Sequence, residues 1–153
     1  MGVILGDQIT KIVAENKGVT KKMTIANNIV IKDVKKQEFV LEGERKPVLA
    51  IEFSFGSTYG ESGSKIELDG KIFYSSDKKE LENLEKAWRE GKTLQNEAVE
   101  LAIRNRALEV GLLQAVALAN QLHLPAPIQL PRFVPAGKQE AKQKETEETE
   151  KSN

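Results

Sequence analysis

The longest hydrophobic pattern in the chain runs through residues 92–122 and predicts a single long helix. Leucine and alanine recur there at three- and four-residue steps, which places one apolar face on a helix. Between Leu108 and Ala119 only Glu109 and Gln114 are polar, and these two do not share a helical face. A helix that is apolar nearly all round is normally covered nearly all round. The pattern therefore predicts more apolar helix surface than a small domain covers by itself.

The predicted length of this helix adds to the apolar surface that the domain does not cover by itself. At about 1.5 Å per residue a continuous helix over residues 92–122 is about 45 Å long, whereas a strand of ten residues spans about 33 Å. We therefore expect the helix to overhang its sheet and to form an interface between copies of the chain. The candidate interface residues are Leu108, Leu112, Leu113 and Val116.

Alternating hydrophobic residues ahead of the helix predict strands. Residues 23–34 alternate as a half-buried strand does, residues 35–37 break the pattern, and residues 38–41 can begin another short strand. The clearest strand begins at Pro47, with apolar side chains at every second position up to Phe55. Residues 56–64, rich in glycine and serine, predict a turn.

The next hydrophobic run, Lys65 to Tyr74, has Asp69-Gly70 in its middle. It is either a hairpin with a two-residue turn or one long strand with a bulge at Gly70. The alternation keeps its phase across Gly70, which favours the continuous strand. Together the runs predict a three- to four-stranded antiparallel meander.

The ends of the chain are more polar. Asp7 is a candidate cap for a short helix that reaches Lys17, within an N-terminal extension of residues 1–22. After the meander, Asp77 with Glu80 predicts the capped start of a short helix that ends at Gly91.

Prolines end the long helix and keep the next segment extended, from Leu124 to Pro135. Its apolar residues indicate a strap that lies along the domain. Residues 136–153 are nearly all Gln, Lys, Glu and Thr, which predicts a disordered charged tail. The fold class predicted is α+β: a meander, a short helix, a long helix and a proline-rich strap, within one domain of residues 23–135.

Composition narrows the possible chemistry. The 153 residues contain 23 basic and 23 acidic side chains, no cysteine and one histidine. This argues against disulfides, thiol catalysis and the commoner zinc sites, and it gives no global electrostatic case for nucleic acid or an anionic membrane. Abundant Glu and Lys is typical of thermophile proteins. No segment is long and apolar enough for a signal peptide or a membrane span, so a cytoplasmic protein is expected.

Candidate chemical sites have ordinary explanations. The glycines of residues 56–65 lack phosphate-loop spacing, and His123 at a helix end is favoured there as a capping residue. Glu100 has Arg104 four residues later, which predicts an exposed ion pair rather than acid–base chemistry. We predict no catalytic residue, no metal site and no cofactor.

Aromatic and large apolar side chains are the remaining candidates for a contact surface. They could line a groove for a protein client or partner, although core packing is the simpler explanation for Phe53 and Phe55. Phe73 is distinctive because it lies off the apolar face of its strand. The full candidate set is Phe53, Phe55, Tyr59, Phe73, Tyr74, Trp88, Leu130 and Phe133.

The order of elements, with three local stretches, resembles the SecB-type export chaperone superfamily. These stretches are Ile29-Val-Ile-Lys-Asp33, Glu67-Leu-Asp-Gly-Lys-Ile-Phe73, and the proline-containing segment Leu124 to Phe133. The likeness covers residues 23–135. It implies a four-stranded antiparallel sheet followed by two helices, a dimer or tetramer with central long helices, and grooves that bind unfolded chains without ATP. The strongly acidic character of the family's bacterial members is absent here.

Three functions follow as hypotheses. The first is a SecB-like holdase that binds extended apolar client segments. The second is a structural or adaptor subunit that docks one specific protein through Phe73 and the strap. The third and weakest is nucleic-acid binding, because the basic run has no interleaved aromatic residues. That run comprises Lys21, Lys22, Lys32, Lys35 and Lys36.

Overall fold

The computed structural model describes residues 2–18 and 23–128, which form one sheet covered on one face by two helices. The strands are β1 (Val3–Glu15), β2 (Ile25–Leu41), β3 (Glu44–Tyr59) and β4 (Lys65–Ser75), and the helices are α1 (Lys78–Gly91) and α2 (Glu97–Gln121). The sheet is antiparallel with the order β1-β4-β3-β2. This confirms the α+β class and the antiparallel sheet followed by a short and a long helix. Residues 129–135 of the predicted strap and the predicted tail, 136–153, lie outside the described residues.

The N-terminal segment is a strand, so the predicted helix from Asp7 to Lys17 is wrong. β1 pairs with β4 from Val3↔Ser75 to Glu15↔Lys65, with register shifts at Leu5 and at Thr10. Each shift inserts a residue, so the inward side chains follow spacings of three and two instead of a strict two. These inward positions are Ile4, Asp7, Ile9, Ile12 and Ala14. A strand with two bulges thus imitates the spacing of a helix.

The β2–β3 hairpin is longer than the hydrophobic pattern predicts. β2 continues through residues 35–37, where a break was expected, and pairs with β3 as far as Leu41↔Glu44. The pattern fails because charged side chains occupy both faces of this part of β2. Lys36 points to the helix side, where its ammonium lies 3.8 Å from Glu82 and 3.9 Å from Glu85 of α1.

The structure also corrects the predicted end of β3 and the predicted length of α2. β3 extends to Tyr59, so the turn before β4 is confined to residues 60–64. With 17 residues, β2 spans about 56 Å, whereas the 25 residues of α2 span about 38 Å. The expected overhang of the helix is therefore wrong. The helix is shorter than predicted because Lys92 to Asn96 form a connection instead of a first turn.

β4 is a single strand with Gly70 inside it, as the unbroken alternation favoured. A Cβ at Gly70 would lie 2.7 Å from the carbonyl oxygen of Gln8 and 2.8 Å from Phe53 Cζ. Glycine is therefore required by the close approach of β1 and an aromatic ring. The irregularity opposite Gly70 belongs to β1, where the register shifts between Ile9 and Lys11.

The core lies between the sheet and the two helices. β3 and β4 contribute alternate buried side chains, and α1 adds Leu81, Leu84 and Trp88. The predicted cap of α1 is confirmed, since the Asp77 carboxylate accepts a hydrogen bond from the Glu80 amide at 2.8 Å. The side chain of Glu80 does not return to the cap. It accepts hydrogen bonds from Tyr74 and Ser76 and so ties α1 to the end of β4.

Candidate functional site

Most of the predicted contact aromatics belong to the core and not to a surface. Five of them are at most 5% exposed beneath the helices: Phe53, Phe55, Tyr59, Tyr74 and Trp88. As the chain is folded, they are not available to a client or partner. Leu130 and Phe133 lie outside the described residues.

Phe73 is the exception, because it lies on the other face of the sheet. Its ring centroid is 4.6 Å from that of Phe39 on β2. With Val48 and Ala50 these two rings form a small second cluster, separate from the core beneath the helices. Beside it the β2–β3 hairpin continues beyond the last β4 partner, and its tip exposes Val40 (69%) and Leu41. The tip turns through Glu42 and Gly43, both with positive φ, as a two-residue hairpin turn requires.

α2 carries the main exposed apolar surface, because it buries small residues and exposes large ones. From the middle of the helix the buried positions are Ala107, Gly111, Ala115 and Ala119, one every fourth residue. A Cβ at Gly111 would lie 2.5 Å from Phe55 Cγ, so α2 approaches the sheet closely there. Leu101 (58%), Leu108 (38%) and Leu113 (68%) point into solvent instead.

The ion pair of Arg106 with Asp7 fixes how α2 is rotated over the sheet. Arg106 donates two hydrogen bonds to one carboxylate oxygen of Asp7 on β1, at 2.8 and 3.0 Å. The side of α2 that carries Arg106 therefore faces β1. Leu108, Leu112 and Val116 lie between about a half and three-quarters of a turn farther round the helix, on the side that faces β2.

On the same face of the sheet β2 presents Ile29, which is only partly buried, opposite Phe55. We define Ile29, Leu108, Leu112 and Val116 as the α2–β2 surface. Of the four predicted interface residues, Leu113 points away from the sheet and the other three belong to this surface.

The free edge of β2 lies next to the α2–β2 surface. Residues 25–31 of this edge strand carry no charge, whereas Lys32, Asp33, Lys35 and Lys36 follow within its second half. Charged side chains and bulges are common devices that protect a sheet edge from pairing with another chain. Only the second half of β2 has them, so residues 25–31 leave an unprotected row of backbone donors and acceptors.

The start of the strap is held against the end of the sheet. Leu124 is buried, and the carbonyl oxygen of Pro125 accepts a hydrogen bond from the Tyr59 hydroxyl at 2.8 Å. Burial raises the pKa of this Tyr59 hydroxyl. The Asn27 amide donates to the Pro127 carbonyl oxygen at 2.9 Å. The prediction that this segment lies along the domain is thus confirmed for Leu124 to Pro127.

Several of the described charged residues form local pairs. Arg104 and Glu100 approach to 3.2 Å, as their spacing predicted. Lys32 pairs with Asp69, and Lys35 lies 3.6 Å from both Asp33 and Glu52. A hydrogen bond from the Val34 amide lowers the pKa of Asp33, and the positive charge of Lys35 adds to this effect.

Within residues 2–18 and 23–128 no three His, Asp or Glu side chains converge as metal ligands. His123 is exposed at the end of α2 with a positive φ. Lys21 and Lys22 of the basic run lie outside the described residues. Across the helices that the structure describes, none is long and apolar enough to cross a membrane.

Sequence reasoning missed part of this surface. Leu101 was counted with the buried face of the helix and is exposed, and the uncharged edge of β2 was not singled out. The sequence contains a signal for the exposure of Leu101. Small residues at every fourth position around Gly111 mark the side of α2 that approaches the sheet, so the leucines must point elsewhere. Compared with known proteins, the chain matches no family model, no curated protein and no solved structure.

Proposed function

We propose that this chain is a non-enzymatic holdase chaperone that binds extended apolar segments of unfolded proteins on its α2–β2 surface. The observation that carries the proposal is the orientation of α2, which turns Gly111 and the alanines at 107, 115 and 119 to the core and leaves Leu101, Leu108 and Leu113 exposed. The resemblance to the SecB-type superfamily leads to the same expectation independently of this geometry.

The exposed leucines of α2 contribute little to the free energy of folding, so their exposure requires another explanation. Burying a leucine side chain stabilises a protein by about 1.5–3 kcal/mol relative to exposing it. α2 forgoes that gain at Leu101, Leu108 and Leu113. Contiguous exposed apolar surface of this kind marks interaction sites in soluble proteins.

The uncharged edge of β2 suits a client of variable sequence. An extended segment that adds to a sheet edge is held by main-chain hydrogen bonds, which do not depend on its side chains. Residues 25–31 offer such an edge, and the apolar side chains of the α2–β2 surface lie beside it. A binding site of this composition favours extended, apolar chain over folded protein and needs neither ATP nor another cofactor.

We assign the outermost side of α2 to self-association as a dimer or tetramer. Leu101, Leu113 and Ala117 are exposed along α2. Light scattering measures the mass in solution, and a monomer at micromolar concentration would contradict the assignment. We place the protein in the cytoplasm and propose no nucleic-acid partner, since the described lysines of the basic run have carboxylates within 4 Å.

The test is suppression of aggregation of a chemically denatured client at equal subunit concentration. We expect suppression by the native chain and a clear loss with Ile29→Gln, which places an amide in the α2–β2 surface. Val30→Gln is the matched control, because Val30 is an exposed neighbour on the opposite face of the same strand. Absence of suppression by well-folded native chain would refute the holdase.

A second function, an adaptor that docks one folded protein, is favoured by the β2–β3 tip. Leu41 is exposed there on the same face of the sheet as the Phe39–Phe73 pair and away from both helices, while Val40 is exposed on the opposite face. A pulldown separates the two functions. An adaptor retains one stoichiometric partner and loses it with Leu41→Asp, whereas a holdase retains many proteins and is insensitive to that change.

A further inference from the structure

The backbone groups of β3 show which edge of each strand they serve. In an antiparallel ladder, residues that exchange hydrogen bonds with the neighbouring strand alternate with residues whose N–H and C=O groups point the other way. The Tyr59 amide donates to the Ser64 carbonyl oxygen at 3.1 Å, in register with the β3–β4 ladder. Tyr59 and every second residue before it on β3 therefore direct their backbone groups to β4 and away from β2.

The residues of β2 that lie opposite this set have their backbone groups at the open edge of the sheet. Tyr59 lies opposite Ile25, and the register is unbroken from there to the pair of Phe53 with Ile31. Since these β3 residues bond to β4, their partners on β2 point their own N–H and C=O groups outward. Among residues 2–18 and 23–128, no backbone group from outside the sheet bonds to them. The four outward residues are Ile25, Asn27, Ile29 and Ile31.

The same four residues turn their side chains to the helices. Ile31 is buried, and Ile25 and Ile29 pack partly buried against the core. The amide oxygen of Asn27 accepts a hydrogen bond at 2.6 Å from the hydroxyl of Ser57, which is buried on this face. The unpaired backbone groups of the edge and the β2 side of the α2–β2 surface therefore belong to one set of residues.

This coincidence determines which side chains an added strand needs. Residues directly opposite each other in a sheet direct their side chains to the same face. In an antiparallel pair, a client residue that exchanges hydrogen bonds with Ile29 places its side chain on the helix side, next to Leu112. The client residues before and after it point to the outer face, beside the exposed Asn28 and Val30. The edge therefore selects apolar side chains at alternate positions and accepts polar ones between them.

The pairing edge also has a definite length. It starts at Ile25, where β2 begins, and ends at Ile31, because the register shift between Ile31 and Asp33 interrupts the regular spacing. The next residue, Lys32, is charged and pairs with Asp69 at 3.2 Å. Residues 25–31 span about 23 Å of strand. An added segment is therefore limited to about seven residues, of which about four face the helices.

We propose that this chain recognises its clients as antiparallel strands of about seven residues, apolar at every second position, which add to β2 at residues 25–31. This inference rests on the proposed function and names the class of segment that is bound. Such alternation is typical of half-buried strands, so the clients are strand-forming segments and not amphipathic helices. The antiparallel direction matches the ladders of this sheet and is the more stable pairing per residue.

N-methylated peptides test the pairing on the native protein. The probe is a fluorescent peptide with the core Val-Ser-Leu-Ser-Leu-Ser-Val, and anisotropy measures its binding. Methylation of the two leucine amides removes donors that face β2, and we expect at least about tenfold weaker binding. Methylation of two serine amides, which point away from β2, is the matched control and should change binding by less than about threefold. The two peptides have the same side chains and differ only in where the methyl groups lie.

Several outcomes of this experiment overturn the proposal. Absence of binding by the parent peptide, or equal effects of the two methylations, means that no strand is added at this edge. A larger loss with the methylated serines indicates a parallel strand, in which the other set of amides faces β2. The third comparison is a peptide of the same composition with its apolar residues three and four positions apart. Binding of that peptide as tight as that of the parent indicates a helix in a groove.

Amide exchange locates the bound peptide on the protein without any substitution. We expect the parent peptide to slow exchange at least about tenfold at the four outward amides, because each gains a hydrogen bond. The amides of Ala26, Asn28 and Val30 are the internal control, since they already bond to β3. Equal slowing at all seven positions overturns the proposal. Outward amides that are protected in the free protein and lose protection on dilution also overturn it, because a second copy then occupies the edge.

The holdase and the mode of recognition fail in different ways. Suppression of client aggregation without the alternating exchange pattern leaves the holdase standing and refutes strand addition. The alternating pattern without suppression of aggregation supports strand addition at the β2 edge and refutes the holdase.

Discussion

The two helices cover the same face of one sheet in opposite ways. α1 buries its large side chains, Leu81, Leu84 and Trp88, and exposes charged ones. α2 buries alanines and Gly111 in its second half and exposes Leu108 and Leu113. The packing of α1 completes the core. The packing of α2 brings the helix close to the sheet and leaves large apolar side chains exposed to solvent. The proposed function relies on this apolar surface, which the packing of the core leaves uncovered.

The strongest test of this contrast is a pair of leucine truncations. Leu84→Ala in α1 is expected to reduce the free energy of unfolding by about 2–5 kcal/mol, because it opens a cavity in the core. Leu113→Ala in α2 is expected to change it by less than about 0.5 kcal/mol, since the side chain is exposed. Denaturant unfolding of the isolated subunit measures both. Equal effects would mean that α2 is packed as α1 is.

Gly111 is expected to show the next largest effect. Gly111→Ala places a Cβ 2.5 Å from Phe55 Cγ, which is a steric clash, and overpacking of this kind costs about 1–3 kcal/mol. Gly56→Ala is the control, because nothing lies within 4 Å of its Cβ position. Thermal unfolding compares the two variants. A Gly111→Ala chain as stable as the native one would show that α2 does not need its close approach.

Tyr59→Phe separates the strap from the core. Loss of the hydrogen bond to Pro125 is expected to cost about 1 kcal/mol and to increase amide exchange in residues 124–128. The raised pKa of the folded-state hydroxyl adds a signature in alkali. Its contribution is fully present below the unfolded pKa, near 10, and is lost as the pH rises through the folded pKa. The stability of the native chain should therefore fall more steeply above about pH 10 than that of Tyr59→Phe.

The smallest expected effect concerns the ion pair that fixes the rotation of α2. Asp7→Asn removes the charge opposite Arg106 and should lower stability by about 0.2–1 kcal/mol, less at high salt, because the pair is partly exposed. Glu100→Gln is the control, because it breaks an ion pair with Arg104 that lies within α2 and involves no strand. Only Asp7→Asn should increase amide exchange in β1. An equal response in both variants would show that the pair does not connect α2 to β1.

Sequence patterns were sufficient where strands and helices follow simple spacing. The β2–β3–β4 meander, the Asp77 cap and the unbroken strand through Gly70 were all predicted correctly. β1 was missed because its two bulges produce inward spacings of three, which also suit a helix. The spacing of apolar residues in this segment suits both a helix and a bulged strand. The strand forms because the segment pairs with β4, about 60 residues away in the sequence, and the local pattern does not show this pairing.

The candidate surface was only half predictable. The apolar character of α2 was read directly from its leucines, but five of the aromatic residues proposed as contacts belong to the core. The hydrophobicity of a side chain predicts that it is buried, but it does not predict which residue packs against it. The close approach at Gly111 decides that question, and it depends on the position of the Phe55 ring across the fold.

The pairing of β1 with β4 also has a consequence for synthesis. Val3 leaves the ribosome long before Ser75, its partner, and the loop that must close between them is longer than any within the meander. Closure of long loops delays non-local strand pairing. The hairpins β2–β3 and β3–β4 can therefore form first, and β1 joins last, when α2 arrives with Arg106. Until then the nascent chain exposes a second sheet edge, on β4.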